Sequence, residues 1–166
     1  MPDSHNSTPS PTESKAAKRP WIWAGLLASV ASLLTACKTA PEPGPQGPPP
    51  DPSNATTVQE YRQNAAQHLY ARNTERIYVG KLPSMLYAIG VIQLDLDAQG
   101  RIKRLNWMRA PQHAPEVVAE IERTVRAAAP FPAPSKMGKV RYTETWLWDK
   151  SGQFQLDTLT EGQLSR

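Results

Sequence analysis

The sequence predicts a small α+β domain in which an antiparallel sheet of about three to four strands packs against two helices. Two segments repeat apolar residues every third or fourth position, as amphipathic helices do. Three others alternate apolar with polar residues, as half-buried strands do. Turn residues separate these segments, and a proline-rich tract precedes them. The folded domain is therefore predicted to occupy residues 54–166.

Residues 1–36 are typical of a secretory signal peptide. A basic start at residues 15–19 is followed by an apolar run over residues 21–34, and small residues then lead to Cys37. The stretch Leu34-Thr35-Ala36-Cys37 resembles the lipobox of bacterial lipoproteins, in which the cysteine is acylated and becomes the mature N-terminus. We therefore expect Cys37 to carry a lipid that attaches the protein to a membrane.

Two alternatives bear on this anchor. The apolar run is somewhat shorter than the roughly 20 residues that span a bilayer, which disfavours an uncleaved membrane helix without excluding it. Cys37 is the chain's single cysteine, so no disulfide can form within one chain, although an intermolecular one can. Lys38 stands where lipoprotein sorting rules would place Asp for inner-membrane retention. That resemblance favours an outer-membrane lipoprotein facing the periplasm of a Gram-negative bacterium, with the inner membrane as the alternative.

Residues 37–53 are predicted to form a tether. Seven prolines crowd this stretch, and proline favours the extended polyproline II conformation without a core of its own. At about 3.1 Å per residue the tether would reach roughly 50 Å.

The first predicted helix follows the tether. Thr57 and Glu60 have the spacing of a capping box, in which each side chain satisfies a backbone N–H at the helix start. An apolar stripe then continues to about Arg76. It comprises Val58, Tyr61, Ala65, Leu69 and Arg72.

A β-hairpin comes next. The segment Ala88–Leu96 alternates apolar and polar residues, the segment 97–100 ends in Gly100 and indicates a turn, and the segment 101–109 returns as a second strand. Ile102 is out of phase with the apolar residues of that strand. We therefore expect a bulge or a twisted start.

A second helix and two strands complete the domain. Pro115 suits the first position of a helix whose apolar face continues to Ala128, and Pro130 ends it. The strand Val140–Trp148 follows, with a short fourth strand over 153–156. One face of the long strand carries Val140, Tyr142, Glu144, Trp146 and Trp148. Its tryptophans suit either an exposed binding surface or the core, and their shared face favours the core for at least one of them.

Composition and motifs exclude several functions. A net charge of +4 without a clustered basic stripe argues against nucleic-acid binding. The chain has no nucleophile elbow, phosphate-binding glycine loop or paired metal motif, so we expect neither an enzyme nor a cofactor, a metal or a small-molecule substrate. Asp95 and Asp97 flank a turn, and neither His68 nor His113 has a second ligand at zinc spacing.

The order of elements resembles the C-terminal domains of the TonB and TolA families. The segment 91–102 is similar to the first hairpin of the TonB family, where an apolar strand runs into Asp-x-x-Gly-Arg-Val. The second helix and the following Pro130-Phe131-Pro132 are similar to the family's helix and its aromatic-proline segment. The resemblance extends over roughly residues 58–156, and Val140–Trp148 would be the family's last long strand.

The resemblance implies a binding module that pairs a sheet edge with an extended segment of an envelope protein, outer-membrane or periplasmic. The pairing strand would be Val140–Trp148, with Val140, Tyr142, Glu144, Trp146 and Trp148 as candidate partner-binding residues. TonB and TolA are held by a spanning helix and receive energy from motor partners, whereas a lipid anchor and short tether favour an adaptor or scaffold related to transport. The alternatives are an uncleaved, inner-membrane TonB-like energy transducer for outer-membrane receptor transport, and a structural envelope lipoprotein.

Overall fold

The computed structural model describes residues 48–165. The predicted signal peptide, Cys37 and most of the predicted tether lie outside the described residues. Two α-helices and four strands form an α+β domain, as the sequence predicts. They are α1 (Val58–Ala71), β1 (Ala88–Leu96), β2 (Ile102–Arg109), α2 (Pro115–Ala127), β3 (Val140–Trp148) and β4 (Phe154–Leu156), with short 3₁₀ turns at Thr74–Arg76 and Asp157–Leu159. In residues 48–165 no helix has the length and apolar character needed to span a membrane.

The four strands form one antiparallel sheet in the order β2-β1-β3-β4. Both helices pack on one face of this sheet, where alternate residues of β1 and β3 point into a single core. The largest fully buried side chains include Tyr61 and Leu69 from α1, Ile121 from α2, and Ile92, Leu94 and Trp146 from the sheet. The core therefore lies between one helical layer and one sheet layer.

The start of α1 has the predicted capping box. The Glu60 amide donates to Thr57 Oγ1 over 3.2 Å, and the Thr57 amide donates to Glu60 Oε2 over 3.2 Å. The helix ends at Ala71 rather than near Arg76. Asn73 Nδ2 donates to the Leu69 carbonyl over 2.8 Å, so a side chain satisfies one of the last helical carbonyls and the chain turns there.

The bulge predicted near Ile102 is confirmed. Asp95 pairs with Arg104 and Leu96 pairs with Ile102, so Lys103 has no partner of its own on β1. The extra residue returns Ile102 to the face of Leu105, against the core.

Packed structure reaches back to Ser53, one residue before the predicted start of the domain. Ser53 is buried, its amide donates to the Ala133 carbonyl over 2.9 Å, and its hydroxyl accepts a 2.7 Å hydrogen bond from Asn64 Nδ2. Upstream, Arg72 Nη2 donates to the Pro48 carbonyl over 2.9 Å. The chain therefore runs back along α1 before the helix begins.

The connection between α2 and β3 is fastened to the β1–β2 hairpin. The Phe131 amide donates to the Gly100 carbonyl over 2.9 Å, and the Tyr61 hydroxyl donates to the Pro132 carbonyl over 2.7 Å. These contacts place the loop before β3 beside the hairpin turn.

Candidate interaction surface

The five residues predicted to bind a partner are buried. Val140, Tyr142, Glu144, Trp146 and Trp148 are between 0% and 6% exposed, because this face of β3 lies beneath the helices. The strand order corrects the prediction that Val140–Trp148 forms the sheet edge. β1 pairs with β3 along its whole length, and β4 pairs with Trp146–Trp148 on the other side.

Both tryptophans belong to the core, as the sequence favoured for at least one of them. Trp148 stacks on Phe154 with ring centroids 5.4 Å apart, and Trp146 lies 4.6 Å from the same ring. The guanidinium of Arg76 lies 5.5 Å from the Trp148 ring centroid. These rings stabilise the fold and offer little surface to a partner.

Glu144 is a carboxylate in the middle of the core face, and it is fully buried. Arg62 Nη2 of α1 donates to Glu144 Oε1 over 2.8 Å, and the Thr145 amide donates to the same oxygen over 3.0 Å. Tyr142 Oη and Thr158 Oγ1 donate to Glu144 Oε2 over 3.1 and 2.6 Å. Burial and the adjacent carboxylate raise the pKa of Tyr142 well above its ordinary value, so its phenol stays protonated and can donate.

This hydrogen-bond network covers part of the outer side of β3. Thr158 follows β4, so its bond to Glu144 holds the C-terminal segment across the side of β3 that faces away from β1. The outer side of β4 is also covered, because the Tyr78 amide donates to the Phe154 carbonyl over 2.9 Å. In the described part of the chain, only residues 140–145 of β3 have no strand beside them on that side.

The long open edge of the sheet is β2. Within residues 48–165 no strand pairs with its outer side, so every second backbone N–H and C=O along the strand faces outward. Leu105 and Trp107 are half-buried toward the core, and Trp107 Nε1 donates to Glu122 over 2.9 Å. The exposed side chains of this edge are Lys103, Arg104, Asn106, Met108 and Arg109. Cationic side chains oppose pairing between two copies of such an edge.

One end of the sheet collects positive charge from two distant segments. Leu96 of β1 pairs with Ile102 on one side and with Val140 on the other, so residues 101–104 and residues 139–141 flank the same end of β1. We call the resulting set the basic cluster, and all its members are exposed: Arg101, Lys103, Arg104, Lys139 and Arg141. The sequence suggested scattered charge because these residues lie in two separate stretches of the chain.

Two carboxylates lie among these cations. Asp95 Oδ1 accepts a 3.0 Å bond from Arg141 Nε, and its Oδ2 lies 4.0 Å from Arg104 Nη1. Asp97 Oδ2 accepts a 2.8 Å bond from Arg101 Nε. A groove of about 460 Å³ lies at this end of the sheet. It is lined by Asp95, Leu96, Asp97, Lys103, Lys139, Val140 and Arg141.

The two histidines considered as metal ligands both contact backbone. His68 Nε2 donates to the Ala128 carbonyl over 2.7 Å, and burial lowers the pKa of His68. His113 Nε2 donates to the Tyr87 carbonyl over 2.8 Å. Among the described residues, no group of three or more His, Cys, Asp or Glu side chains is placed to hold a metal ion.

The domain thus belongs to the class of two-layer α+β folds with one antiparallel sheet, and its accessible features are an open edge and a basic cluster. Comparison with protein-family models, with curated proteins and with solved structures finds no match for this chain.

Proposed function

We propose that this chain is an envelope lipoprotein whose domain binds a protein partner by pairing with an extended segment of that partner. The open outer side of β2 supports this function most directly. In strand addition, main-chain hydrogen bonds supply affinity and neighbouring side chains supply specificity. The resemblance to TonB and TolA C-terminal domains points to the same mode of binding, with a different strand as the edge.

The choice of β2 follows from what covers the other strands. Tyr78 closes the outer side of the short strand β4, and the C-terminal segment contacts β3 at Glu144 through Thr158. By contrast, β2 offers eight residues, Ile102–Arg109, to an incoming segment. An adaptor or scaffold that is tethered by a lipid needs only this surface and its anchor.

The anchor is tested at Cys37. Replacing it by alanine is expected to abolish labelling by radioactive palmitate and to change the mobility of the processed protein on a gel, because acylation requires the thiol. Globomycin treatment of cells making the unsubstituted chain should block its processing in the same way. Unchanged mobility together with no palmitate label on the unsubstituted chain would contradict a lipoprotein.

The pairing edge is tested by photo-crosslinking in intact cells. A benzoylphenylalanine at Asn106, exposed in the middle of β2, is expected to give a discrete adduct with an envelope protein. The same residue at Lys150, exposed in the turn between β3 and β4, is the control and should give none. A third position, Thr143, reports on the open part of β3. Adducts from Thr143 but not from Asn106 would assign the edge to β3, and equal yields at all three positions would refute a defined edge.

A further inference from the structure

We propose that the basic cluster binds acidic side chains at one end of the segment that pairs with β2. This inference rests on the proposed function, and it names the chemistry of the partner. The cluster begins where β2 begins, since Lys103 and Arg104 are residues of that strand and Arg101 immediately precedes it. A segment lying along β2 must therefore end beside, or begin beside, these three cations.

The charges in the cluster do not balance. Five exposed cations lie around two carboxylates, and those carboxylates are already shared with Arg101, Arg104 and Arg141. Within residues 48–165, Lys103 and Lys139 form no ion pair with a carboxylate. The resulting excess of positive charge at one end of the sheet would attract a negatively charged segment and orient it on approach.

The groove has cationic side chains on two of its sides. Its lining includes Lys103 on the β2 side and Lys139 and Arg141 on the β3 side, so a carboxylate entering it would be approached by cations from both sides. Arginine can hold a carboxylate through two parallel N–H donors, and lysine adds a point charge. The bulge at Lys103 makes that lysine an extra residue opposite β1, which leaves its backbone groups outside the β1–β2 ladder.

The position of the cluster favours a protein segment over a lipid surface, because the cluster adjoins the open backbone edge of β2, with which an extended segment can pair and a lipid headgroup cannot. The described chain enters the domain at Pro48, which is bound by Arg72 at the end of α1. The cluster lies near the opposite end of that helix, where Tyr61 binds Pro132 beside the hairpin. These two positions on α1 are separated by about 16 Å at 1.5 Å per residue. The first described residue therefore lies near the end of α1 away from the cluster.

The test compares two short peptides of alternating Thr and Val, one ending in three Glu and the other in three Gln. Binding of each labelled peptide to the purified full-length chain in detergent is followed by fluorescence anisotropy. The Glu peptide is expected to bind roughly tenfold more tightly, and added salt should reduce that preference. The double variant Lys103→Glu/Lys139→Glu should abolish the preference.

A matched control has the same change in net charge. Lys81→Glu/Lys150→Glu alters two exposed lysines outside the cluster, and it should keep the preference for Glu. Circular dichroism verifies the fold of each variant, and Lys103→Gln/Lys139→Gln, which introduces no new carboxylate, should lose most of the preference as well.

Three outcomes would overturn the proposal. The first is equal binding of both peptides to the unsubstituted chain. The second is an unchanged preference in Lys103→Glu/Lys139→Glu. The third is binding of neither peptide together with a preference for phosphatidylglycerol over phosphatidylcholine vesicles that is lost in that variant, which would assign the cluster to lipid. Failure of the proposed function gives a different result. The Asn106 adduct is then absent, whereas the Glu peptide still binds the cluster.

Discussion

Replacing Glu144 by glutamine is expected to lower the free energy of unfolding by about 3 kcal/mol, because hydrogen bonds to a buried carboxylate are strong and breaking a buried ion pair is costly. In the unsubstituted protein Tyr142 and Thr158 donate to the carboxylate. The NH2 group of glutamine would place a donor opposite these donors. Arg62 would keep the remaining glutamine oxygen as an acceptor but lose the negative charge of its 2.8 Å partner, and Asp157 would be its only carboxylate. Urea unfolding measures the change.

Asp157→Asn is the matched control for this prediction. It removes the other carboxylate bound to Arg62, but the Asp157 side chain is 53% exposed, so the cost should stay below about 1 kcal/mol. Hydrogen exchange adds a local readout. The Thr158 amide is expected to exchange faster in Glu144→Gln at native conditions, because the C-terminal segment loses its attachment to β3. Equal destabilisation by Glu144→Gln and Asp157→Asn would show that the difference in exposure does not determine how much each carboxylate contributes to stability.

The predictions that succeeded rest on local chemistry. The capping box at Thr57 and Glu60 needs only residues three apart, and Pro115 starts α2 through its own fixed backbone angle. The alternation along Ala88–Leu96 and Val140–Trp148 gave both strands with their observed bounds. Even the bulge was predictable, since Ile102 is visibly out of phase with its neighbours.

The features that escaped prediction depend on contacts across the chain. Glu144 interrupts an apolar strand face, and a lone carboxylate there is a signal that a cation must lie opposite. Its partner Arg62 is 82 residues away, so periodicity cannot identify it. The position of β3 inside the sheet depends on β4, which has only three residues.

The candidate interaction surface escaped prediction for a related reason. Lys103 and Lys139 lie in separate segments with no run of like charge between them, and only the pairing of Leu96 with both neighbouring strands brings these segments together. Strand order also decides which edge is open, and the sequence alone did not indicate that β2 is the long open edge while Val140–Trp148 lies between β1 and β4. The lipid anchor stays a prediction, because Cys37 lies outside the described residues.

Gly100→Ala is expected to destabilise the domain by about 3–5 kcal/mol and to disturb the basic cluster at the same time. Gly100 has a φ of +73°, where an L side chain costs roughly 1–2 kcal/mol. A Cβ at this position would lie 1.9 Å from the Phe131 carbonyl oxygen. Because this neighbour is backbone, no rotamer change relieves the clash, and the hairpin and the loop before β3 must move apart. Urea unfolding measures the loss of stability.

Gly152→Ala separates the conformational cost of a positive φ from the cost of the clash with Phe131. Gly152 also has a positive φ, +85°, but a Cβ there would meet no atom within 4 Å, so only the conformational cost of roughly 1–2 kcal/mol applies. The difference between the variants therefore reports the contact between Gly100 and Phe131. Because that contact joins the hairpin turn, directly before residues 101–104, to the loop that leads to residues 139–141, folded Gly100→Ala protein should also prefer the Glu peptide less than Gly152→Ala protein does. Equal stabilities and equal peptide preferences would show that the close approach of the two segments is not required for either property.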